Sequence, residues 1–440
     1  MCTHCTAGRF IVKAAIKQDH IARYTETWLS EYLPHLPAIM IDGPKGVGKT
    51  QTAMMFAKSV WRLDQESQRE SLAANYDILY DEEKPVLLDE WQHLPEIWDR
   101  VRRMVDNHIP AGSIILTGSI QSSNPNLHSG AGRIIRHRMR PLSLAERIQS
   151  PETISLKDCL EGKISQKVWL ETDFTFPDYV AEILNSGFPH IRNITNPAVR
   201  RNHLDSYLNN ITSREFASQG IRIRQPEKLR AWMRAYAAAV ATTTSYNKML
   251  DAASSGESDK PAKETVIAYR EALSSLWLID DLPYWDLGES YLGNLKQTPK
   301  HYLADPALEA RLLRLGERDL LTGKISNPHD EDYGSTAGRL FKSLCALSIR
   351  TYANALDAEV SYVRTRKGDR EVDFVVQRDQ SIVAIEIKMS STVSSEDVSH
   401  LNWFAEKVGE RVQERIILTT GNRAYRRKDG VLVVPAALFG

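Results

Sequence analysis

A short glycine-rich segment near the N-terminus carries the residue types that hold phosphate groups. Residues 43–50 read GPKGVGKT, which fits the pattern G-x-x-x-x-G-K-[ST]. Backbone N–H groups between such glycines can curl round a triphosphate, Lys49 would reach its β- and γ-phosphates, and the hydroxyl of Thr50 would be a Mg²⁺ ligand. The predicted phosphate-binding residues are Gly43, Pro44, Lys45, Gly46, Val47, Gly48, Lys49, Thr50 and Gln51.

The segments on either side of this loop have the pattern that the motif requires. Residues 37–41 are apolar and predict a buried strand, while residues 50–57 predict the start of a helix. A glycine-rich turn that matches by chance would not be expected to lie between a strand and a helix. Residues 9–35 predict a preceding helix, in which Tyr24 and Trp28 are candidates for contact with a nucleotide base, although core packing explains both more simply.

An acidic pair follows the next predicted strand. Residues 85–88 are strand-compatible and lead directly into Asp89 and Glu90. Ligands of open α/β sheets lie at the carboxyl ends of the strands, where these carboxylates would be placed. We expect Asp89 to hold Mg²⁺ through its water shell and Glu90 to polarise the attacking water.

A third strand is predicted over residues 113–119 and ends in hydroxyl side chains. Ser119 or Thr117 could contact the γ-phosphate or orient the water, and Ser119 is the predicted catalytic residue. A strand that simply enters a turn explains the same residues equally well. Three such strands separated by helical segments predict a parallel sheet flanked by helices.

Size, charge and cysteine content limit the class of protein. The chain of 440 residues is too long for one core and indicates about two to four domains. Lys+Arg and Asp+Glu both number 56, so global charge argues neither for nor against a nucleic-acid partner. Cys2 and Cys5 with His4 between them could hold a metal, but a frayed terminus explains them better. Without an apolar run of about 18 residues or a signal-peptide core, we expect a cytoplasmic protein with no membrane segment.

Taken together, these motifs resemble a known family. The series GPKGVGKT, VLLDEWQ and IILTGS, followed by Gly132-Arg133 and PLSLAE at residues 141–146, resembles the large prokaryotic group of AAA+ ATPases with a C-terminal domain of uncharacterised function. The resemblance implies Mg²⁺-dependent binding and hydrolysis of ATP to ADP. It also implies an arginine from a neighbouring subunit that completes the site, with Arg133 as the candidate and Arg136, Arg138 and Arg140 as weaker ones. Such an arginine suggests a homo-oligomer, and a monomer is the alternative. A solvated or nucleic-acid-facing strand is an equal alternative for each of these arginines.

The middle of the chain is predicted to be helical and resembles a winged-helix module. Short helices precede two strand-like segments at residues 277–279 and 282–285. Such modules often bind duplex DNA, and a local basic cluster supports DNA or another nucleic acid as a partner. A charged, solvated helix face is an equal alternative for this cluster, whose members are Arg222, Arg224, Lys228, Arg230 and Arg234.

The C-terminal region resembles the PD-(D/E)xK nuclease fold in its predicted α-β-β-β-α-β order. Glu386 and Lys388 alternate onto one face of a strand, where Asp373 on a neighbouring strand could join them. The resemblance implies a Mg²⁺ site at Asp373 and Glu386, with Lys388 stabilising developing charge. Lys342 departs from the family pattern, because a glutamate usually lies near its position and assists the metal. This departure leaves an inactive domain as the alternative.

Two basic segments are predicted as loops beside this face, at residues 364–370 and 423–428, and would suit either a phosphate backbone or solvent. The predicted architecture is therefore an α/β P-loop AAA+ ATPase domain over residues 1–195, a helical or winged-helix domain over 196–295, and an α/β PD-(D/E)xK-like domain over 296–440. ATP turnover could drive nucleic-acid processing by the C-terminal domain. It could instead operate a nucleotide-gated switch that holds a protein partner.

Overall fold

The computed structural model describes residues 20–119, 131–216, 225–254, 263–286, 298–322, 336–365 and 368–440. The chain divides into two compact units, Met1–Met139 and Arg140–Gly440. The predicted domain boundaries after residues 195 and 295 do not coincide with this division and stay predictions. Cys2, Cys5 and the first part of the helix predicted over residues 9–35 lie outside the described residues.

The first unit is built on a five-stranded sheet with the order β2-β3-β4-β1-β5, in which the neighbouring strands run parallel. Its strands are β1 (Ala38–Asp42), β2 (Ser59–Arg62), β3 (Val86–Asp89), β4 (Ile114–Gly118) and β5 (Ile135–Arg138). Its helices are α1 (Tyr24–Tyr32), α2 (Lys49–Met54), α3 (Glu66–Ala74), α4 (Ile78–Asp81) and α5 (Glu96–Asp106).

Continuous apolar runs explain the three inner strands of this sheet. Every residue of β1, β3 and β4 is buried, as expected for parallel strands covered on both faces. On one face they pack against α5, whose Ile97, Val101 and Met104 are buried at helical spacing. Because β4 lies between β1 and β3, the chain segments that follow these three strands emerge side by side at one edge of the sheet.

The second unit contains a seven-stranded mixed sheet with the order β6-β11-β12-β10-β9-β8-β7. Its strands are β6 (Trp169–Glu171), β7 (Glu359–Arg364), β8 (Glu371–Arg378), β9 (Ser381–Lys388), β10 (Val412–Thr419), β11 (Arg423–Arg426) and β12 (Leu432–Pro435). Strand β6 falls within the predicted first domain, yet it pairs antiparallel with β11 at the edge of this sheet.

The helices of the second unit precede and accompany this sheet. They are α6 (Leu144–Ile148), α7 (Leu156–Leu160), α8 (Phe176–Asn185), α9 (Pro189–Arg192), α10 (Pro197–Asn210), α11 (Pro226–Ala238), α12 (Tyr246–Ala253), α13 (Lys263–Ser275), α14 (Pro306–Leu312), α15 (Glu317–Thr322), α16 (Thr336–Ala355) and α17 (Ser399–Val408). Leu401 and Phe404 of α17 pack with Val375 and Ile417 of the sheet in one buried cluster.

The predicted order of C-terminal elements is confirmed, since α16, β7, β8, β9, α17 and β10 follow one another along the chain. Two local predictions are wrong. Residues 423–428, predicted as a loop, begin with β11, because the alternation around buried Ala424 lets this segment pair with β12 and β6. Residues 277–279 and 282–285, predicted as strand-like, form only isolated bridges, among them Ile279 with Leu303 and Leu282 with Lys300.

Within the described ranges, no helix combines the length and the apolar character needed to cross a lipid bilayer. Helix α16 is 20 residues long, but Arg339, Lys342 and Arg350 interrupt its apolar surface.

Candidate functional site

The loop between β1 and α2 has the backbone form that its glycines permit. Gly43 has φ +145°, and a Cβ atom there would lie 2.1 Å from the carbonyl oxygen of Met139. Gly48 has φ +103° and is the N-cap of α2. Side chains at either position would clash or strain the backbone, so the glycine spacing is a steric requirement of this turn.

The side chain of Lys49 folds back over this loop. Its Nζ donates to the carbonyl oxygens of Gly43 at 2.8 Å and Pro44 at 2.9 Å, and the residue is 5% exposed. Burial lowers the pKa of Lys49 to about 8, and the negative charges of Glu90, Asp42 and Asp89 oppose that shift. Among the residues that the structure describes, the ammonium group donates to loop carbonyls, which phosphate oxygens could replace.

The hydroxyl of Thr50 lies against the end of β3. Its Oγ1 donates to Asp89 Oδ1 at 2.7 Å. This bond uses the hydroxyl hydrogen and leaves the oxygen lone pairs of Thr50 for a cation. Among the described residues, Asp89 Oδ2 accepts no hydrogen bond. One hydroxyl and one carboxylate beside a phosphate-binding loop fit Mg²⁺, which is commonly bound by one or two carboxylates together with substrate phosphates.

Glu90 adopts a left-handed backbone conformation, with φ 55° and ψ 50°. Ser119 Oγ donates to Glu90 Oε1 at 3.2 Å, and Gln92 Nε2 donates to Glu90 Oε2. The structure therefore brings Ser119 to the predicted base itself. Two neutral donors hold the carboxylate in place, so Glu90 has a defined direction next to Asp89.

Asp42 and Arg23 also belong to this site, although neither was predicted to act there, and Arg136, a weaker candidate for an arginine from a neighbouring subunit, pairs with Asp42 of its own chain. Asp42, which ends β1, is 1% exposed, and its Oδ2 accepts from Arg136 Nε at 2.6 Å. Burial raises the pKa of Asp42, while Arg136 opposes the shift. Arg23 Nη1 donates to the Val47 carbonyl at 2.8 Å and so also helps to hold the loop. Asp42 could have been predicted as a site residue, because it is a polar residue at the end of a buried strand. No sequence pattern indicated Arg23.

Trp28 packs inside the first unit. It is 2% exposed and stacks on Tyr32 and on His137, with ring centroids 4.7 Å and 4.3 Å apart. These contacts favour the core-packing explanation over contact with a base. Tyr24 is half-buried.

The candidate arginines have separate partners. Arg133, whose side chain is 43% exposed, contacts Asp106 Oδ1 through its Nε at 2.9 Å. Arg136 pairs with Asp42, and buried Arg140 pairs with Asp280 at 2.7 Å. Of these three, Arg140 is the least suited to reach another subunit, because its guanidinium is buried against a carboxylate of its own chain. The role of Arg133 in a neighbouring site stays a prediction.

The structure brings together the three residues predicted for a C-terminal site. Asp373 on β8 and Glu386 on β9 lie directly beyond the paired residues Phe374 and Ile385, and the backbone N–H of Asp373 donates to Glu386 Oε2 at 3.3 Å. Lys388 Nζ lies 3.9 Å from Glu386 Oε1. Strand alternation therefore predicted the correct face.

Two lysines form ion pairs with the carboxylate of Asp373. Lys300 Nζ donates to Oδ1 at 2.9 Å, and Lys342 Nζ lies 2.8 Å from Oδ1 and 2.7 Å from Oδ2. The backbone N–H of Ile387 donates to Oδ2 at 3.1 Å. Lys300 also lies 2.5 Å from Glu371 Oε1, and both Lys300 and Asp373 are 1% exposed at their side chains. Sequence reasoning missed Lys300, for which no local pattern exists.

The charges of this cluster oppose a divalent cation. Burial alone would raise the pKa of Asp373, but Lys300 and Lys342 outweigh it and hold that pKa well below its usual range. Burial and the charge of Asp373 raise the pKa of Glu386 to about 8. A divalent cation needs free carboxylate oxygens, whereas here both oxygens of Asp373 face ammonium groups, so these residues do not fit the ion. The metal role of Asp373 and Glu386 stays a prediction that this geometry disfavours. Within the described ranges, no group of three or more His, Cys, Asp or Glu residues is placed to hold a metal ion.

Several residues of the predicted basic segments are paired with acidic residues. Arg230 Nη2 lies 3.5 Å from Asp205, Arg426 lies 2.7 Å from Glu414, and Arg427 lies 3.2 Å from Asp429. Arg222, Arg224, Arg366 and Lys367 lie outside the described residues. The nucleic-acid contact predicted from these segments stays a prediction.

Three parts of the sequence match known protein families. Residues 35–148 match the AAA domain family, and this range includes the phosphate loop, Asp89, Glu90, Ser119 and Arg133. Residues 177–319 match a domain of unknown function (DUF8612), and this range includes Lys300. Residues 337–439 match another domain of unknown function (DUF4143), and this range includes Lys342, Asp373, Glu386 and Lys388.

No curated protein matches this chain significantly. Among solved structures, the Walker-type ATPase PABY2304 of Pyrococcus abyssi is similar over 67% of this chain and 97% of its own, with 16% identity and a TM-score of 0.38. The Aeropyrum pernix ORC2 protein, solved as ADPNP–ADP complexes, is similar over 69% of this chain and 92% of its own, with 15% identity and a TM-score of 0.29. TM-scores this low add nothing to the assignment. The AAA match, together with the loop and sheet described above, supports a P-loop ATPase domain that binds and hydrolyses ATP.

Proposed function

We propose that this protein is a Mg²⁺-dependent ATPase whose site lies at the carboxyl edge of the five-stranded sheet. The observation that carries this proposal is the 2.7 Å hydrogen bond from Thr50 to Asp89, which joins the phosphate loop to the acidic pair. Both residues belong to segments that an unrelated glycine-rich turn would not bring together. The AAA match over residues 35–148 supports the same conclusion.

Each residue has a distinct task in this proposal. Lys49 would exchange the carbonyls of the loop for β- and γ-phosphate oxygens, while Thr50 and Asp89 would hold Mg²⁺. Bound Mg²⁺ would neutralise charge on the phosphates. Glu90 accepts a proton from the water that attacks the γ-phosphorus, the bond to the β–γ bridging oxygen breaks, and ADP and phosphate leave. Ser119 keeps the Glu90 carboxylate in position.

Replacing Glu90 tests the proposal. Glu90→Gln keeps the size of the side chain and removes its basic oxygen, so we expect ATP to remain bound while turnover falls by about 100-fold or more. Glu96→Gln is the matched control, because Glu96 is an exposed carboxylate at the start of α5. Unchanged turnover in Glu90→Gln would show that another group is the base. Loss of ATP binding would show that Glu90 has a different role.

For the C-terminal region, the contacts of Asp373 favour the nucleotide-gated switch over an active nuclease. The element order and the meeting of Asp373, Glu386 and Lys388 support a PD-(D/E)xK-like fold. The ammonium groups of Lys300 and Lys342 on Asp373 support a domain that has this fold but does not bind the catalytic metal ion of a nuclease. We infer that this domain serves binding, with a protein partner as the expected ligand.

Two assays separate the switch from a nucleic-acid machine. We expect no DNA cleavage with Mg²⁺ or Mn²⁺ and no rise in ATP turnover with duplex or branched DNA. DNA cleavage that Glu386→Ala abolishes, or ATP turnover that DNA stimulates, would favour ATP-driven nucleic-acid processing and would support the winged-helix prediction for residues 196–295.

Sedimentation with and without ATP tests the predicted homo-oligomer and the contribution of Arg133. The cytoplasmic location stays a prediction.

A further inference from the structure

The hydroxyl group of Thr117 connects both members of the acidic pair. Thr117 lies on β4 and is fully buried, with 0% exposure. Its Oγ1 donates to Asp89 Oδ1 at 2.5 Å and accepts from the backbone N–H of Glu90 at 3.2 Å. One oxygen atom thus fixes a side chain of the pair and the backbone that follows it.

Neither bond is of the kind that a buried threonine usually makes. Threonine hydroxyls commonly bond to backbone groups a few residues away. Here the two partners lie 28 and 27 residues away along the chain and belong to the segment that ends β3. The bonds therefore hold two neighbouring strands in register at the edge of the sheet where the phosphate loop lies.

The conformation of Glu90 explains why such a contact is useful. Its φ of 55° is in the left-handed region, which a residue with a side chain adopts only when its surroundings hold it there. Thr117 Oγ1 accepts a hydrogen bond from the backbone N–H of Glu90, which this turn directs inward. Ser119 bonds to the carboxylate of Glu90 instead, at 3.2 Å. The two hydroxyl residues near the end of β4 thus act on different parts of the acidic pair.

We propose that Thr117 is a positioning residue for hydrolysis, which acts through Asp89 and Glu90 and does not contact the nucleotide. This inference rests on the proposed ATPase function. Asp89 Oδ1 accepts hydrogen bonds from the hydroxyls of both Thr50 and Thr117. Thr117 therefore also sets the direction in which the other carboxylate oxygen of Asp89 would face the cation. Loss of the hydroxyl would leave the phosphate loop intact and misplace the base and the carboxylate.

The test compares Thr117→Val, which keeps the shape and removes the hydroxyl, with Thr117→Ser, which keeps the hydroxyl. We expect Thr117→Val to lower kcat by about 10- to 100-fold and to raise the Mg²⁺ concentration for half-maximal turnover, with the KM for ATP nearly unchanged. Thr117→Ser should restore most of the turnover. Ser113→Ala is the matched control, because it removes another buried hydroxyl beside β4, which donates only to the Pro110 carbonyl at 2.6 Å.

The outcomes separate this inference from the function on which it rests. Wild-type protein without ATP turnover would overturn both. Wild-type turnover that Thr117→Val leaves unchanged, or that Thr117→Ser loses equally, would overturn the role of the hydroxyl alone. If Thr117→Val does not fold, Thr117→Cys replaces it under the same criteria, because a thiol fills similar volume and is a much weaker hydrogen-bonding group.

Discussion

The ammonium group of Lys342 lies 2.7 Å from Oδ2 of Asp373, at the place where the nuclease resemblance predicts a metal-assisting carboxylate. A positive charge thus takes the position of a negative one. Lys300 reaches the same aspartate from a different part of the chain, at 2.9 Å. These ion pairs join α16, β8 and the segment before α14, so the cluster supports the fold of this region.

Removal of Lys300 is expected to destabilise the second unit. Lys300→Met removes the ammonium group closest to half-buried Glu371 and leaves the buried charge of Asp373 with Lys342 as its remaining partner, so we expect the free energy of unfolding to fall by about 1.5–3 kcal/mol. Urea unfolding followed by tryptophan fluorescence measures this change.

Lys388→Met is the control for the lysine substitution. Its side chain is 37% exposed and lies 3.9 Å from Glu386, so its loss should cost less than about 1 kcal/mol. Equal effects of the two substitutions would show that Asp373 does not depend on Lys300.

Substitution of the first glycine of the phosphate loop is expected to abolish ATP binding. A methyl group at Gly43 would lie 2.1 Å from the backbone oxygen of Met139, which cannot move aside as a side chain can. Gly43→Ala should therefore displace the loop from the backbone at Met139, directly after β5. Titration calorimetry measures the loss of binding.

Gly132→Ala provides the comparison for this steric argument. Gly132 also has positive φ, at 74°, but a Cβ there meets nothing within 4 Å. The Gly132→Ala substitution should lower the free energy of unfolding by about 1 kcal/mol through backbone strain and leave ATP binding intact. Normal ATP binding by Gly43→Ala would contradict the described loop.

Glu309 is expected to make stability depend on pH. Burial raises the pKa of Glu309 from its ordinary value of 4.5 to about 8. Between these values the folded chain holds a proton that the unfolded chain releases, so stability is highest at the acidic end and falls as the pH rises. The slope from this one group is at most about 1.4 kcal/mol per pH unit.

Glu309→Gln should flatten this dependence, because the amide does not titrate. Unfolding midpoints of both proteins from about pH 5 to about pH 8 provide the measurement. Parallel curves for the two proteins would mean that Glu309 is ionised in the folded chain throughout this range.

The inner strands of the first sheet could be predicted because each is a continuous apolar run. The prediction missed β2 and gave β5 only as an alternative explanation of the arginines in and around it. Both strands lie at the edges of the sheet and contain exposed or half-buried residues, as in Ser59–Arg62 and Ile135–Arg138. Edge strands are paired on one side only, so their apolar signal is weak.

The candidate sites were predictable to the extent that local spacing determines them. Asp373 and Glu386 were placed on one face by strand alternation. Lys300, which lies 73 residues before Asp373, could not be predicted, because only the tertiary fold brings a buried lysine to its partner. The role of Thr117 likewise depends on β4 lying beside β3, which is a property of the sheet order.

Calorimetric titration of ATP with Mg²⁺ into the folded full-length chain tests the central claim most directly. We predict saturable heat for one site per chain, and we predict that Lys49→Ala removes it because the ammonium group is lost from the loop. Absence of heat with the folded wild-type protein, or equal heat with Lys49→Ala, would contradict a nucleotide site at this loop.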